Sequence, residues 1–320
     1  MKLKSTVTVP AGDLKTAQDF AQACWWDAQC EPLFGEDLTI DLPYAPPGMY
    51  QHLGANEKKF HFDWMRRTTS GWKWTNIRTL GTDRDGYFWV FRDGEADTCW
   101  NEISGHFKSK FAALLQISGG KIHWFKEFSD PTAWYTAIGT ELPHFYFDRK
   151  DPAEFPPRTL TPANLKTQAD LDAQVQDTLA FFKSPNYWDP KVNEVLSEDF
   201  LHELTFAPAD MQRFYRGQEY DSLNEWLDRH LLGGDIFDEV FYETTDPHIY
   251  ITEYNCRFTT NWGLSAQEIA AGKTGTYVNR EVSYIELDDE GRCLRLDEYL
   301  NTMSKFLSIG VSIPTFPYLQ

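Results

Sequence analysis

The chain has few cysteines, and none of them lies in a pattern typical of a structural site. The five cysteines form no Cys-x-x-Cys pair and are odd in number, which argues against both a disulfide framework and a zinc site. No apolar run approaches the roughly 18 residues of a membrane helix, and the first residues, MKLKSTVTVPAG, lack the apolar core of a secretory signal. We therefore expect reduced thiols, no membrane span and a cytoplasmic location.

Basic residues are also scarce. Lys and Arg number 30 against 48 Asp and Glu, for a net charge of -18. Such a surface repels phosphate backbones and anionic bilayers, so neither nucleic acid nor membrane is an expected partner. The segment from Ala271 to Thr274, AGKT, imitates the end of a phosphate-binding loop, but Gln267 stands where its first glycine should be. With no dinucleotide fingerprint and no metal-ligand cluster, we expect no cofactor and no metal.

Aromatic residues, in contrast, are abundant. They make up 16% of the chain, with 12 Trp. Packing can absorb many rings, yet rings also line pockets for flat or hydrophobic ligands. The composition is therefore compatible with a ligand cavity but does not establish one.

An internal repeat organises the chain. Residues 119–145, GGKIHWFKEFSDPTAWYTAIGTELPHF, recur as residues 290–316, EGRCLRLDEYLNTMSKFLSIGVSIPTF, at an offset of 171. Earlier segments match at an offset of 162: LPYAPPGM with LTFAPADM, and Trp64 with Trp226. The difference predicts a nine-residue insertion in the second copy, in the hairpin around residues 263–276. Each copy has the length of a domain, so we predict domains at 1–150 and 164–320, joined by a proline-rich linker at 151–163.

Within each copy, helices come first and a run of strands follows. Apolar spacing predicts helices at 14–29 and 171–182. Alternation and turn signals predict strands at 75–80, 87–92, 107–117 and 122–128, and at 239–244, 249–257, 278–287 and 293–299. This order is typical of an α+β domain in which helices cover a curved, mostly antiparallel sheet.

A carboxylate lies at the end of the last strand in each copy. Alternation places Glu127 on the face of His123 and Phe125. In the second copy, Glu298 would share a face with Leu294 and Leu296. An acid on an apolar strand face at matching positions is a candidate for proton transfer.

His61 is the expected partner of Glu127. Its counterpart at the 162 offset, Leu223, belongs to an apolar helical stripe, so His61 should also face inward. An imidazole opposite a buried carboxylate is a plausible proton-transfer pair. Equally open is a structural role, with a core histidine bonded to a backbone carbonyl and a glutamate paired with Lys or Arg.

These residues resemble a known family. The segments WKWTNIRTLGTDRDGYFWVF and YETTDPHIYITEYNCRF, with the tails KEFSDP...IGTELPHF and DEYLNT...IGVSIPTF, are similar to the phenazine-biosynthesis A/B group of the nuclear transport factor 2-like (SnoaL-like) superfamily, here as two fused copies. The resemblance implies two cone-shaped domains, each a helix-lidded curved sheet around a pocket, forming an intrachain pseudo-dimer. A homodimer of the fused chain is a further option.

The resemblance also implies a chemistry. Members of the family use a last-strand Glu and a helix His as acid and base on an amino-ketone; these match Glu127, Glu298 and His61, while the second copy has Leu223 in place of the His. The implied arrangement is a complete site in the first domain and a depleted one in the second. Residues predicted to line the substrate pocket are His123, Phe125, His106, Trp64, Arg66 and Trp89, although a solvated face is the simpler interpretation of Arg66.

We therefore expect a cofactor-independent enzyme of secondary metabolism that uses general acid-base catalysis. It would cyclise, condense, isomerise or dehydrate a small carbonyl- or imine-bearing substrate. The alternative is a non-catalytic binding or carrier protein with the same pocket. A hydrolase acting on an epoxide would need an Asp-Arg-Asp cluster that the sequence does not assemble.

Overall fold

The chain forms two compact units. The computed structural model describes residues 1–100, 102–182 and 192–318. The first unit comprises Thr6–Leu142 and Ile313–Gln320, and the second comprises Met1–Ser5 and Pro143–Ser312.

The first unit is a six-stranded sheet with three α-helices among its described residues. The helices are α1 (Ala11–Gln22), α2 (Ala55–Thr68) and α3 (Pro131–Ala137), and the strands are β1 (Phe34–Asp41), β2 (His52–Leu53), β3 (Thr69–Gly81), β4 (Tyr87–Trp100), β5 (Ile103–Ser118) and β6 (Lys121–Ser129). The strand order is β2-β1-β6-β5-β4-β3. Strands β1 and β6 run parallel, and the other neighbours are antiparallel.

The second unit repeats this plan. Its helices are α4 (Gln168–Phe182), α5 (Val192–Val195), α6 (Gln218–His230), α7 (Ala266–Ala270) and α8 (Thr302–Ser308), and its strands are β7 (Leu196–Leu204), β8 (Phe214–Tyr215), β9 (Leu231–Glu243), β10 (Ile249–Thr260), β11 (Gly275–Leu287) and β12 (Cys293–Tyr299). The order β8-β7-β12-β11-β10-β9 copies that of the first sheet. The predicted α+β class with two tandem sheet-helix domains is confirmed.

Some predicted boundaries differ from the structure. The helix predicted at 14–29 ends at Gln22, because Ala23 is extended and the chain then forms a separate 3-10 turn at Ala28–Leu33. The insertion is also divided between two places. Trp89 pairs with Leu114 in the first sheet, and Ile251 pairs with Tyr284 in the second. The offset between the copies is 162 on β4 and β10 but 170 on β5 and β11. Eight residues are therefore inserted between β10 and β11, where α7 lies. The ninth lies in the turn from β11 to β12.

The short helices α3 and α8 are capped in the same way. Asp130 accepts a hydrogen bond from the backbone N–H of Thr132, and Asn301 from that of Met303. Such caps satisfy donors that the first helical turn leaves unpaired. They fix the start of each helix directly after the last strand of its sheet, so each helix presents its side chains at one end of that sheet.

The segment that follows each short helix belongs to the unit of the other copy. In the first unit, Phe316 packs against Trp100 and Tyr135. In the second, Phe145 packs against Trp226 and Phe306. The boundaries 1–150 and 164–320 stay a prediction from the sequence repeat.

Two further findings concern sequence expectations. Among the described residues, no helix combines the length and the apolar character that a bilayer crossing requires. All five cysteines are free thiols, and only Cys99 is exposed.

Candidate functional site

Glu127 lies at the buried end of β6 and is held by two donors. Its side chain is 5% exposed. The Arg92 guanidinium donates to Oε2 at 3.1 Å, and the Trp25 indole N–H donates to Oε1 at 3.1 Å. Burial raises the pKa of the Glu127 carboxyl, while these two donors act in the opposite direction.

Arg92 also serves the fold. One of its terminal nitrogens donates to the backbone oxygens of Phe20, Ala21 and Ala23 at the end of α1. Its guanidinium carbon lies 3.6 Å from the centre of a Trp74 ring. Arg92 therefore ties the end of α1 to Glu127. This is the ion-paired environment that the sequence left open as the structural alternative for Glu127.

His61 faces inward from α2, as predicted. It is 1% exposed, and its ring stacks on Trp25 with centroids 5.4 Å apart and planes within 7°. Its Nδ1 lies 2.8 Å from the hydroxyl of Tyr318, rather than from a backbone carbonyl. Burial lowers the pKa of His61 to about 3, so the imidazole is neutral near pH 7.

His61 and Glu127 line the same cavity of the first unit, which we call the first cavity. Its volume is about 20 Å³, and its rings include Trp25, Trp72 and Trp134. Trp25 stacks on His61 and donates to Glu127. The structure thus brings the predicted pair together through an indole, in a space that admits about one water molecule.

Two residues predicted to line that cavity lie outside it. His123 was expected on the face of Glu127, but Trp124 pairs with Gln116 and Ile122 with Ile117, so a bulge at His123 breaks the alternation. Its Nδ1 lies 2.7 Å from Asp37 instead. His106 is also wrongly placed by the prediction: its side chain is 55% exposed and lies 3.1 Å from Asp97.

The remaining predicted pocket residues mostly support the core around the cavity. Phe125 packs edge-on against Trp25, and Trp64 lies beside His61 with ring centroids 6.0 Å apart. Trp89 is fully buried against Phe128.

Arg66 lies near two surface acids, Glu31 and Asp63. It does not line the first cavity. This agrees with a partly solvated face.

A larger cavity lies in the second unit. This second cavity has a volume of about 90 Å³ and is lined largely by apolar and aromatic side chains. Its polar lining includes His202, Glu281, Glu298 and Lys305. His202 Nε2 lies 2.8 Å from Glu298 Oε2, and both side chains are largely buried.

The same bulge repeats in β12, and it corrects one predicted neighbour of Glu298. Ile285 pairs with Leu296, while Leu287 pairs with Cys293, so an extra residue interrupts the alternation. The face of Glu298 therefore carries Leu296 and Cys293 rather than Leu294. The carboxylate itself keeps its predicted place at the cavity end of the strand.

Matching positions explain why the two cavities differ. Arg92, which pairs with Glu127, corresponds to Tyr254 at the 162 offset, so Glu298 lacks the equivalent guanidinium. Its partner His202 stands where the first copy has Ile40. The second copy thus builds its own His–Glu pair from a different strand, although its helix carries Leu223 where the first has His61.

Sequence reasoning missed His202, Glu281 and Lys305. A signal was present: His202 replaces Ile40 at the 162 offset, and Lys305 replaces Trp134 at the 171 offset. Glu281 is harder to find, because residues of β11 match those of β5 at a third offset, 170. The strand pairing gives this offset: Ser283 lies opposite Glu298, and Ala113 lies opposite Glu127. Only the strand register shows that Glu281 corresponds to Phe111.

Within the part of the chain that the structure describes, no group of three or more His, Cys, Asp or Glu side chains is arranged to hold a metal ion. The ionisable side chains in the cavity walls include Glu127 and His61 in the first. Those of the second include two carboxylates, an imidazole, an ammonium and three phenols: Glu281, Glu298, His202, Lys305, Tyr220, Tyr254 and Tyr277.

The fold is that of an α+β protein with a cavity in each of its two sheet-helix units. Residues 47–150 match the family model described as phenazine biosynthesis protein A/B, so the family resemblance found in the sequence is confirmed over that range. The two units with one strand order agree with a tandem fusion.

Curated relatives match about a quarter of the chain. Phenazine biosynthesis protein PhzA of Pseudomonas fluorescens is 28% identical over 81 residues, which are 25% of this chain and 50% of that protein. PhzA1 of Pseudomonas aeruginosa is 25% identical over 87 residues, 27% of this chain and 54% of that protein. The chain thus spans about half the length of the curated relatives it matches.

Solved structures are also similar. A phenazine biosynthesis-related protein of Pseudomonas aeruginosa aligns with a TM-score of 0.37 at 17% identity, covering 46% of this chain and 91% of that one. AusH of Aspergillus nidulans aligns with a TM-score of 0.31 at 15% identity, covering 38% and 87%.

Proposed function

We propose that this chain is a cofactor-independent enzyme of secondary metabolism. It would move protons on a small carbonyl- or imine-bearing substrate, with the second cavity as its main site. The observation that carries the proposal is the Glu298–His202 pair, whose 2.8 Å contact lies in the wall of the larger cavity. The match of residues 47–150 to the phenazine biosynthesis A/B model supports the metabolic setting.

The mechanism follows from the chemistry of the pair. A carboxylate within hydrogen-bond reach of an imidazole can accept a proton from a substrate and share it with the ring nitrogen. Glu298 would remove a proton from carbon or nitrogen beside the carbonyl, and His202 would hold or return it. Positioned proton transfer of this kind is worth roughly 10²–10⁴-fold in rate.

The second cavity is the better candidate for a substrate site, because it is larger than the first. The first cavity holds about 20 Å³ and the second about 90 Å³, while one water needs roughly 10–15 Å³ by this measure. Glu127 is also engaged by Arg92 and Trp25. We keep Glu127 and His61 as a second candidate pair, which a substrate could reach only after the surrounding rings moved.

The test compares Glu298→Gln and Glu127→Gln with the wild type. Each protein is incubated with a small-molecule extract of the source cells, and native mass spectrometry then identifies what is bound and what is converted. We expect Glu298→Gln to retain a molecule that the wild type converts, with turnover reduced roughly 10²–10⁴-fold. Glu290→Gln, on an exposed turn before β12, is the matched control.

Each other outcome decides against part of the proposal. If only Glu127→Gln accumulates the molecule, the first cavity is the active site. If all proteins bind the same unaltered molecule, the chain is a binding or carrier protein, and its paired glutamates are structural.

A further inference from the structure

Lys305 is the most unusual charged residue of the second cavity. It lies on α8, is 4% exposed, and lines the cavity. Its Nζ lies 3.9 Å from the centre of the Trp262 ring and 5.2 Å from that of Tyr277. The backbone oxygen of Lys305 accepts a hydrogen bond from the Ser308 hydroxyl, but no hydrogen bond or ion pair joins its Nζ to any residue that the structure describes. Lysine is almost never buried to this extent without a partner.

The acids around Lys305 are engaged by other groups. Glu281 accepts hydrogen bonds from the hydroxyls of Tyr254 at 2.8 Å and Tyr277 at 2.6 Å. It also accepts one from the amide of Asn279 at 3.1 Å. Glu298 is paired with His202. Both carboxylates attract the Lys305 ammonium electrostatically, yet neither forms an ion pair or a hydrogen bond with it.

Burial controls the state of this amine. Burial lowers the pKa of Lys305, and Glu281 and Glu298 oppose that change without cancelling it. A larger fraction of neutral amine is therefore present near pH 7 than on a surface lysine. Neutral amines are the nucleophilic form, which is how buried lysines attack carbonyl groups.

The first unit shows that the fold does not require this arrangement. At the position of Lys305 it has Trp134, and at that of Glu281 it has Phe111, and both lie in the wall of the first cavity. The same helix and strand thus pack well with two rings. The second copy has replaced them with an amine and an acid, next to the site of the larger volume.

We propose that Lys305 forms a Schiff base with the aldehyde or ketone carbonyl of a small substrate in the second cavity. The lone pair of Nζ attacks the carbonyl carbon and forms the C–N bond, while the carbonyl oxygen takes a proton from a cavity acid. The nitrogen then passes a proton through the same acid to the hydroxyl oxygen. The nitrogen lone pair forms the C=N bond as the C–O bond breaks, and water leaves a protonated imine that is in equilibrium with the imine. Amine and carbonyl give imine and water, and no oxidant or reductant is needed.

This inference rests on the proposed function and names its substrate class. A protonated imine withdraws electrons from the neighbouring carbon, which makes a proton on that carbon easier to remove. Glu298 lines the same cavity and would accept that proton, leaving an enamine. Hydrolysis of the imine would return the free amine and release the product.

The test traps the imine chemically. The full chain is treated with propanal and sodium cyanoborohydride at pH 7, and peptide mass spectrometry measures the labelling rate at each lysine. We expect Lys305 to be labelled faster than the exposed Lys273, since burial lowers the pKa of Lys305 and so raises its neutral fraction. Its labelling rate should also level off at a lower pH than that of an ordinary unburied amine, because burial lowers the pKa of Lys305.

Labelling of Lys305 at or below the rate of Lys273 would overturn the inference. A second measurement uses the cell extract in place of propanal, with borohydride added. The wild type should retain a reduced covalent adduct on Lys305, and Lys305→Arg, which keeps a cation, should retain none. The same adduct yield in Lys305→Arg also contradicts the assignment.

The two proposals can fail separately. If Glu298→Gln blocks conversion but Lys305 is not trapped, proton transfer proceeds without a Schiff base. If Lys305 is trapped but Glu298→Gln converts the substrate normally, the amine reacts and the proposed role of Glu298 is wrong.

Discussion

At the scale of single residues, the same glutamate position acquires two environments. Glu127 is held by a buried guanidinium and an indole N–H. Glu298 meets an imidazole instead. A guanidinium only donates hydrogen bonds, whereas the two ring nitrogens of an imidazole can donate and accept. The second site is therefore better suited to exchanging protons.

His61 gives a prediction for stability against pH. Its pKa is about 3 in the fold, against an ordinary value of 6.5. Above pH 6.5 the imidazole is neutral in both the folded and the unfolded state, and the free energy of unfolding does not change. Below pH 6.5 the imidazole binds a proton in the unfolded state but not in the folded state, so the free energy of unfolding falls as the pH falls. The loss is about 2 kcal/mol at pH 5.

Replacing His61 removes this dependence. We expect His61→Leu, which copies Leu223 of the second copy, to lose less free energy of unfolding than the wild type between pH 7 and pH 5. Denaturant unfolding followed by tryptophan fluorescence measures the difference. Equal losses in both proteins would show that His61 is accessible to protons in the fold.

At the scale of elements, close backbone contact positions α3 and α8. A Cβ added at Gly105 in β5 would overlap the carbonyl oxygen of Ala137, and one added at Gly275 in β11 would overlap that of Ser308. Both glycines lie where a short helix ends against the long central strand. The lack of a side chain at Gly275 lets α8, which carries Lys305, lie close to β11.

Alanine at these glycines should therefore be costly. We expect Gly275→Ala and Gly105→Ala each to reduce the free energy of unfolding by about 1–3 kcal/mol, the usual cost of overpacking. Gly12→Ala is the control, since a Cβ there meets nothing within 4 Å, and its stability should be unchanged or slightly higher. Thermal unfolding compares the three. A neutral Gly275→Ala would mean that α8 can shift freely.

The bulge in β6 and β12 also acts at this scale. One extra residue moves His123 away from the face of Phe125 and Glu127, and moves Leu294 away from that of Glu298. A bulge places two residues of one strand opposite one residue of its partner, and the order of polar and apolar residues along the strand does not show where this occurs. Alternation read from the sequence could therefore identify the carboxylate but not its neighbours.

At the scale of the whole molecule, each unit is completed by a segment distant in sequence. Phe316 and Tyr318, near the C-terminus, are each 1% exposed in the first unit. Phe145 is fully buried in the second. Removing a buried phenylalanine side chain typically costs 3–5 kcal/mol.

This arrangement predicts which unit each substitution weakens. Phe316→Ala should reduce amide hydrogen-exchange protection within residues 6–142, and Phe145→Ala within residues 143–312. Hydrogen exchange with peptide mass spectrometry resolves the two regions, and each variant is the control for the other. Loss of protection in the opposite region would contradict the observed composition of the units.

The sequence by itself determined the repeat, the α+β class, most long strands and the carboxylate that closes the last strand of each copy. These depend on local periodicity and on similarity between the copies, both of which are visible in one dimension. It also placed His61 inward, because the apolar stripe around Leu223 marks a buried helix face.

Only the tertiary structure decided which groups meet those carboxylates. Arg92 meets Glu127 from a strand 35 positions away, and His202 meets Glu298 from a strand 96 positions away. Strand register and a one-residue bulge decide which neighbouring side chains face a cavity. Cavity size likewise depends on whether the short helix carries Trp134 or Lys305. Such contacts are fixed by packing between distant segments, which periodicity along the chain does not encode.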